Sequence, residues 1–439
     1  MTPSAAALLW MAAAQAGAAL GGASPSSGQG SADQVPETPQ TTLSAPPGMA
    51  NGAPRTLKTR SSTTTAGIDL ALSAQVLTQT LNVSGGAQQL QTGLLAAPLV
   101  GFGLTAPRFG FSVAYNPQLY LVDISQGPLD VMHRGWVLAE WKVSSAWRLY
   151  LAERISYGNT NLAIPATSIS GGSAGQQPPQ LNPSRVGSLL YENNDSSLGA
   201  SARLSRSLRF SVLAGYVNSG GVGSAAELVM PHQQGPRAEA TLDYQLSSAS
   251  TLGTALAAQA NYFSVGRDIY VSTLAETWRV RLSRQTSAWL IGGVGVTNTD
   301  VATELVYKKL DPIGGVGMES GTKTRLPVTA FFQLLLSPYV DPYLAVAYQR
   351  LTADASITWR LASKWALGIA ANAALVPYRG QVAQKYGSAN ANLAWTFAKD
   401  MSVAVGGYWM WQLGTATTAA NFNQWGAYVS FNVADFEHI

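Results

Sequence analysis

The sequence predicts an all-β protein, a transmembrane antiparallel up-and-down β-barrel of about 18 strands, or 16 in the smaller version, set in a bacterial outer membrane. Three observations predict it. An apolar/polar alternation restarts again and again from residue 66 to residue 433, and a side-chain period of two is the period of a strand. One face of nearly every segment is apolar while the other carries Ser, Thr, Asn, Gln, Gly and Arg, as in a closed sheet with lipid outside and water inside. Charged residues make up only 11% of the chain, against about 25% in soluble domains. Yet the mean hydropathy is only +0.08. After the N-terminus no apolar run approaches the roughly 18 residues a helical span needs.

Residues 1–23 read as a secretory signal peptide: Ala5 to Leu20 form an apolar run, and Gly21, Gly22, Ala23 and Ser24 give it a cleavage-like end. The run lacks the usual preceding Lys or Arg, and a short buried helix is the alternative. Residues 24–65 are Ser, Gly, Pro, Thr and Ala with scattered charges, a composition that cannot bury a core, so a disordered periplasmic leader is expected. Residues 66–439 are the barrel. The absence of cysteine fits an oxidising compartment. A formal charge of +4 is too small to argue for nucleic acid.

Strands are expected at roughly 66–77, 90–104, 107–121, 132–143, 147–157, 196–205, 208–218, 236–246, 251–263, 270–283, 287–297, 324–336, 343–350, 354–361, 364–376, 385–397, 401–413 and 421–433. The pair within 343–361 is the one whose loss would leave 16. Short turns fall at Ser144 to Ala146, Ser205 to Ser207, Ser247 to Ser250, Arg284 to Thr286, Ala362 to Ser363 and Ala398 to Asp400. Longer polar connections fall at 159–195, 219–235, 298–322 and 377–385. Short turns face the periplasm and long loops the outside in such barrels. The Gly-rich stretch of Gly314, Gly315 and Gly317 is placed in one of the long loops.

The best-patterned segments set the faces. Trp425, Ala427, Val429, Phe431 and Val433 oppose Gln424, Gly426, Tyr428, Ser430 and Asn432. Trp147, Trp278, Trp365, Trp395, Trp409, Trp411 and Trp425 mostly fall near strand ends, where aromatic residues suit the membrane interfaces. The alternative is core packing in a soluble sandwich, which so many hairpins would make very large.

On the opposite face, Lys142, Arg148, Arg154, Arg203, Arg209, Arg237, Arg279, Arg281, Arg325 and Arg360 point inward against Asp69, Glu140, Glu239 and Asp243. A net basic wall would favour anionic solutes or chains. Pairing of these Arg residues with acids and carbonyls to stiffen the wall is the competing reading. Trp136, Tyr150, Trp289, Tyr408 and Tyr428 form an inward aromatic set, suited either to stacking on sugar rings or to filling space. Enzymatic readings are thin: His133, His232 and His438 are the only histidines, and none sits in a nucleophile motif. No metal-ligand spacing and no phosphate-binding motif is present, and no cofactor is expected.

The stretch Phe111-Ser112-Val113-Ala114-Tyr115-Asn116-Pro117 and the Trp136 to Gly158 hairpin, ending Arg154-Ile155-Ser156-Tyr157-Gly158, resemble outer-membrane barrels of unassigned role in myxobacteria-like Gram-negative bacteria. Some similar barrels act in exopolysaccharide secretion. The resemblance covers the barrel and not the leader. It implies a porin-like channel passing solutes or a secreted polymer, with outer-membrane lipid, lipopolysaccharide, the barrel-assembly machinery and periplasmic polysaccharide-export components as partners. The chain departs from the pattern at its end, Phe436-Glu437-His438-Ile439, where a terminal aromatic is usual, so assembly is expected to read Phe431 or Phe436. The alternative function is a structural or adhesive barrel with a blocked lumen and partner-binding outer loops.

Overall fold

The computed structural model describes residues 65–82, 88–121, 129–161, 188–228, 230–301, 304–322, 326–341, 345–376, 384–398, 401–413 and 422–438. The expected signal peptide and all but the last residue of the leader lie outside them. The described strands are β1 (Thr65–Asn82), β2 (Gln88–Thr105), β3 (Phe109–Tyr115), β4 (Gln118–Leu121), β5 (Leu129–Lys142), β6 (Trp147–Asn161) and β7 (Ser188–Arg203). They continue with β8 (Leu208–Gly221), β9 (Gln233–Ser247), β10 (Ser250–Phe263), β11 (Arg267–Arg281), β12 (Thr286–Val301) and β13 (Glu304–Gly321). The last are β14 (Val328–Asp341), β15 (Val346–Ala362), β16 (Trp365–Val376), β17 (Gln384–Ala398), β18 (Met401–Leu413) and β19 (Phe422–His438).

Apart from β3 and β4, which do not pair with each other, each strand pairs antiparallel with its chain neighbours, and β1 closes the sheet on β19 from Gly67 opposite His438 to Gln79 opposite Gly426. Closure leaves no outer edge at that seam, as a membrane-spanning sheet requires. Both β3 and β4 pair with β2 on one side and β5 on the other, so the two make one stave interrupted at Asn116 and Pro117. The barrel therefore has 18 staves.

The interruption has a local cause. Pro117 has no N–H for a ladder, and Asn116 compensates: its backbone N–H donates to the Arg134 carbonyl at 2.8 Å and its side-chain amide to the Pro98 carbonyl at 2.8 Å. Asn116→Ala is expected to strand that carbonyl and lower stability by about 1–2 kcal/mol, read by urea unfolding in detergent micelles.

Outer-face positions hold Leu, Val, Ile, Phe and Trp side chains that remain exposed, among them Leu70, Leu72, Leu151, Ile155, Leu274, Leu290 and Val429. Lipid covers such a face in a membrane barrel. Trp147, Trp278, Trp365 and Trp395 ring the end carrying the tight turns, with Trp365 and Trp395 stacked at 5.8 Å. Tyr115, Tyr157, Tyr262, Tyr270, Trp409 and Trp425 ring the other end. On β6 the two belts are marked by Trp147 and Tyr157, a separation of roughly 25 Å for a strand tilted by about 40°. The chain is thus an outer-membrane barrel whose first strand begins, and last strand ends, at the end carrying the tight turns.

Three expectations are corrected. The stretch 298–322 is not a loop but the end of β12 and the whole of β13, and Gly314, Gly315 and Gly317 lie within that strand. The supposed pair 343–350 and 354–361 is one strand, β15. One strand missed and one counted twice left the total unchanged. Finally, the outer connection between β10 and β11 is only Ser264 to Gly266, tightened by Gly266 at φ 73°, so loop length alone is a weaker guide to orientation than expected. The 219–235 connection carries a single helical turn, α1 (Ser224–Glu227).

Candidate functional site

The two-residue alternation assigns the inner wall. Lys142, Arg148, Arg154, Arg203, Arg209, Arg237, Arg279, Arg281 and Arg360 all take positions opposite the lipid-facing set of their strands, whereas Arg325 lies outside the described residues. Several have acidic partners. Arg237 meets Asp195 across β7 and β9, with the Asp195 side chain buried. Arg279 donates to Glu319 at 2.5 Å and to Ser287 at 3.0 Å, and Arg209 stands opposite Asp243 in the ladder. Arg148 reaches Glu140 at 3.5 Å, but its side chain is 55% exposed, so solvent screens that pair to little net value.

Sequence reasoning missed part of this wall. Arg134 and Arg350 also face inward, as do Asp130, Asp195, Asp311, Glu319, Asp341 and Asp354. For Asp195, Asp311 and Glu319 the alternation runs through stretches expected to be loops, on β7 and β13, whereas Arg134, Arg350 and Asp354 lie within expected strands, where the same alternation turns them inward. Basic residues crowd the end carrying the tight turns, where Lys142 faces Arg148 and Arg203 faces Arg209 across their ladders. The additional acids lie mostly higher in the barrel, so charge is segregated along the axis more than it is in excess.

The inward aromatics lie along the wall. A side chain added at Gly199 would run into the ring of Tyr150, one at Gly317 into Trp289, one at Gly426 into Tyr408 and one at Gly406 into Tyr428. Each ring therefore roofs a glycine on the adjacent strand, a pairing that restores packing where a strand lacks side chains. Trp289 is further held by Phe331, 5.9 Å away, and by the Arg279 guanidinium at 5.6 Å. Trp289, Tyr408 and Tyr428 are buried, while Tyr150 and Trp136 keep partial exposure. Trp147, Trp278, Trp365, Trp395, Trp409, Trp411 and Trp425 occupy outer-face positions.

His133 is bonded to the Tyr115 hydroxyl at 2.6 Å and His232 to Glu192 at 2.7 Å, both on the outer face. Among the described residues no group of three or more potential metal ligands comes together.

The dominant feature inside the barrel is a hairpin that leaves the wall. The β13–β14 ladder ends at Gly314 opposite Leu336, and the β15–β16 ladder ends at Leu351 opposite Leu375. Beyond those points, residues 337–341 of β14 and 346–350 of β15 pair only with each other. Pro312 and Pro338 flank the departure, and a residue without an N–H weakens continuation of a ladder. The hairpin lies over the inner faces of β11 and β12. Pro338 seats on Gly295, where an added Cβ would come within 2.6 Å of its ring. Val340 and Ala345 cover Phe263, Ile269 and Val271. Arg267 donates to the Ala345 carbonyl at 3.4 Å, and the Gln349 amide to the Pro312 carbonyl at 2.6 Å. On its other face Tyr339 and Tyr348 pack with Ala374, Tyr348 donates to Asp341 at 2.7 Å, and Arg350 lies 4.1 Å over the Tyr339 ring. A polypeptide hairpin thus occupies lumen that an unbroken wall would leave to water.

A family model described as the EpsX exopolysaccharide export family matches residues 64–436. Among solved structures, OccK9 (OpdG) of Pseudomonas aeruginosa is similar at 12% identity and a TM-score of 0.46, covering 84% of this chain and 98% of that chain. OpdK of the same organism gives 11% identity and 0.46, covering 84% and 99%. OprD gives 12% and 0.44, covering 85% and 94%. No curated protein matches the sequence.

Proposed function

Because the chain belongs to the EpsX exopolysaccharide export family, we propose that this outer-membrane barrel is the exit conduit through which a secreted polysaccharide crosses the outer membrane. The observation that carries the reading is a closed 18-stave wall, which would give a hydrated polymer a route shielded from lipid. Deleting the gene is expected to remove polymer from the cell surface and leave it in the periplasm, with recovery on complementation. Parental amounts of surface polymer in the deletion strain would overturn the reading.

The basic periplasmic end favours a chain bearing anionic groups, drawn first to the mouth from the periplasm. Arg203 and Arg281 sit exposed at that mouth. The Arg203→Glu, Arg281→Glu double variant is expected to move the reversal potential in asymmetric salt toward cation preference. An unmoved potential would remove charge selection from the proposal. Tyr150 and Trp136, the inward aromatics with an accessible face, are the ones proposed to contact sugar rings. One observation favours a second reading, a structural barrel with a blocked lumen: the hairpin lodged inside. The two differ in whether the lumen can be cleared.

A further inference from the structure

The place the hairpin vacates in the wall remains complementary to it. Above Gly314, β13 continues to Glu304, laddered to β12 on one side, while among the described residues no ladder forms on the side that β14 left. Tyr270 of the outer aromatic belt aligns through Asn298 of β12 with position 308 of β13, so Leu310 and Pro312 lie on the bilayer side of that belt. Unpaired backbone N–H and C=O groups at this depth cost several kcal/mol each. The Gln349 amide covers one such carbonyl, that of Pro312.

Continuing the register of Gly314 opposite Leu336 sets Pro312 opposite Pro338 and Leu310 opposite Val340. Leu310 and Val340 have the same parity as Val316, Leu334 and Leu336, so both would then face lipid. Leu310 already does, at 68% exposure, whereas Val340 is buried inside at 8%. Val340 is apolar enough for either seat. Two facing prolines would weaken a rejoined ladder, since neither has an N–H to donate.

We propose that the paired segments Ser337–Asp341 and Val346–Arg350 have two seats: tucked against Gly295, Ile269 and Val271, where they narrow the lumen, and with Ser337–Asp341 zipped onto the free edge of β13, where the wall is completed and the passage cleared. Segments that exchange between two packings are a common basis of gating. The inference builds on the conduit reading, but the position of the hairpin is measurable without any transport.

The chain has no cysteine, so introduced pairs are the sole thiols. In the full-length protein, Gly295→Cys with Pro338→Cys is expected to oxidise and hold the tucked seat, with low single-channel conductance that rises on reduction. Leu310→Cys with Val340→Cys is expected to oxidise as well and to lock high conductance. Folding of each variant is checked by heat-modifiable gel mobility. If a pair fails to fold, spin labels at 310 and 340 in bilayers give the same answer, a short-distance population being expected beside a long one. Failure of the Leu310/Val340 pair to oxidise in a folded barrel, or a single long distance between the labels, would overturn the two-seat proposal. Two oxidised pairs with equal conductance would overturn its gating role, whereas loss of export with normal switching would count against the conduit reading alone.

Discussion

Replacing residues 338–349 with a tight Asn-Gly turn is expected to make cells several-fold more sensitive to large hydrophilic antibiotics such as vancomycin, which ordinary porins exclude. The hairpin is an occupant of the lumen with its own ties: the Pro338 contact on Gly295, the cluster of Val340 and Ala345 with Ile269 and Val271, and the hydrogen bonds of Arg267 and Gln349. None of these belongs to the ladders that close the barrel, so its removal empties space without opening the 18-stave sheet. The turn fits the geometry, because β14 and β15 are already antiparallel there and an Asn-Gly pair supplies the positive φ values a two-residue hairpin needs. Unchanged sensitivity, with normal amounts of folded barrel, would mean that something other than the hairpin limits passage.

The second large effect concerns assembly. Gly317→Val is expected to cost about 3 kcal/mol or to prevent folding, because the new side chain collides with the Trp289 ring. That ring cannot swing away easily, held as it is by Phe331 at 5.9 Å and Arg279 at 5.6 Å. Trp289→Ala alone is expected to cost about 3–5 kcal/mol through the cavity it leaves in a buried site. The double variant should be less damaged than the two losses added, since the valine enters the space the indole vacates. Urea midpoints in micelles for the four proteins of this cycle measure that coupling. Additive losses would show that ring and glycine do not share one slot.

The fold was legible because its signal is redundant. Nearly every stave repeats the two-residue alternation, so the all-β class and the barrel could be read strand by strand. What could not be read lies where the alternation is silent. Gly314, Gly315 and Gly317 look like a loop because glycine carries no face, and their strand character comes from ladders to β12 and β14, with the Trp289 ring packed over Gly317 from the adjacent strand. The error at 343–361 has a related origin. Alternation continues through Arg350, Thr352 and Asp354, but nothing local says that the strand leaves the wall above Leu351. That departure is fixed by ladders that stop at Gly314 and Leu375, by two prolines on different strands and by a glycine seat on β12. The same blind spot hid acids: Asp311 and Glu319 sit on β13 and Asp341 at the end of β14, none of them inside an expected strand.

Single-channel recording of the purified full-length chain in a planar bilayer, beside the variant with the hairpin replaced, tests the central claim most directly. The conduit account predicts stepwise currents from both proteins, with distinctly larger steps from the variant. Bilayers that stay silent for both folded proteins would contradict it.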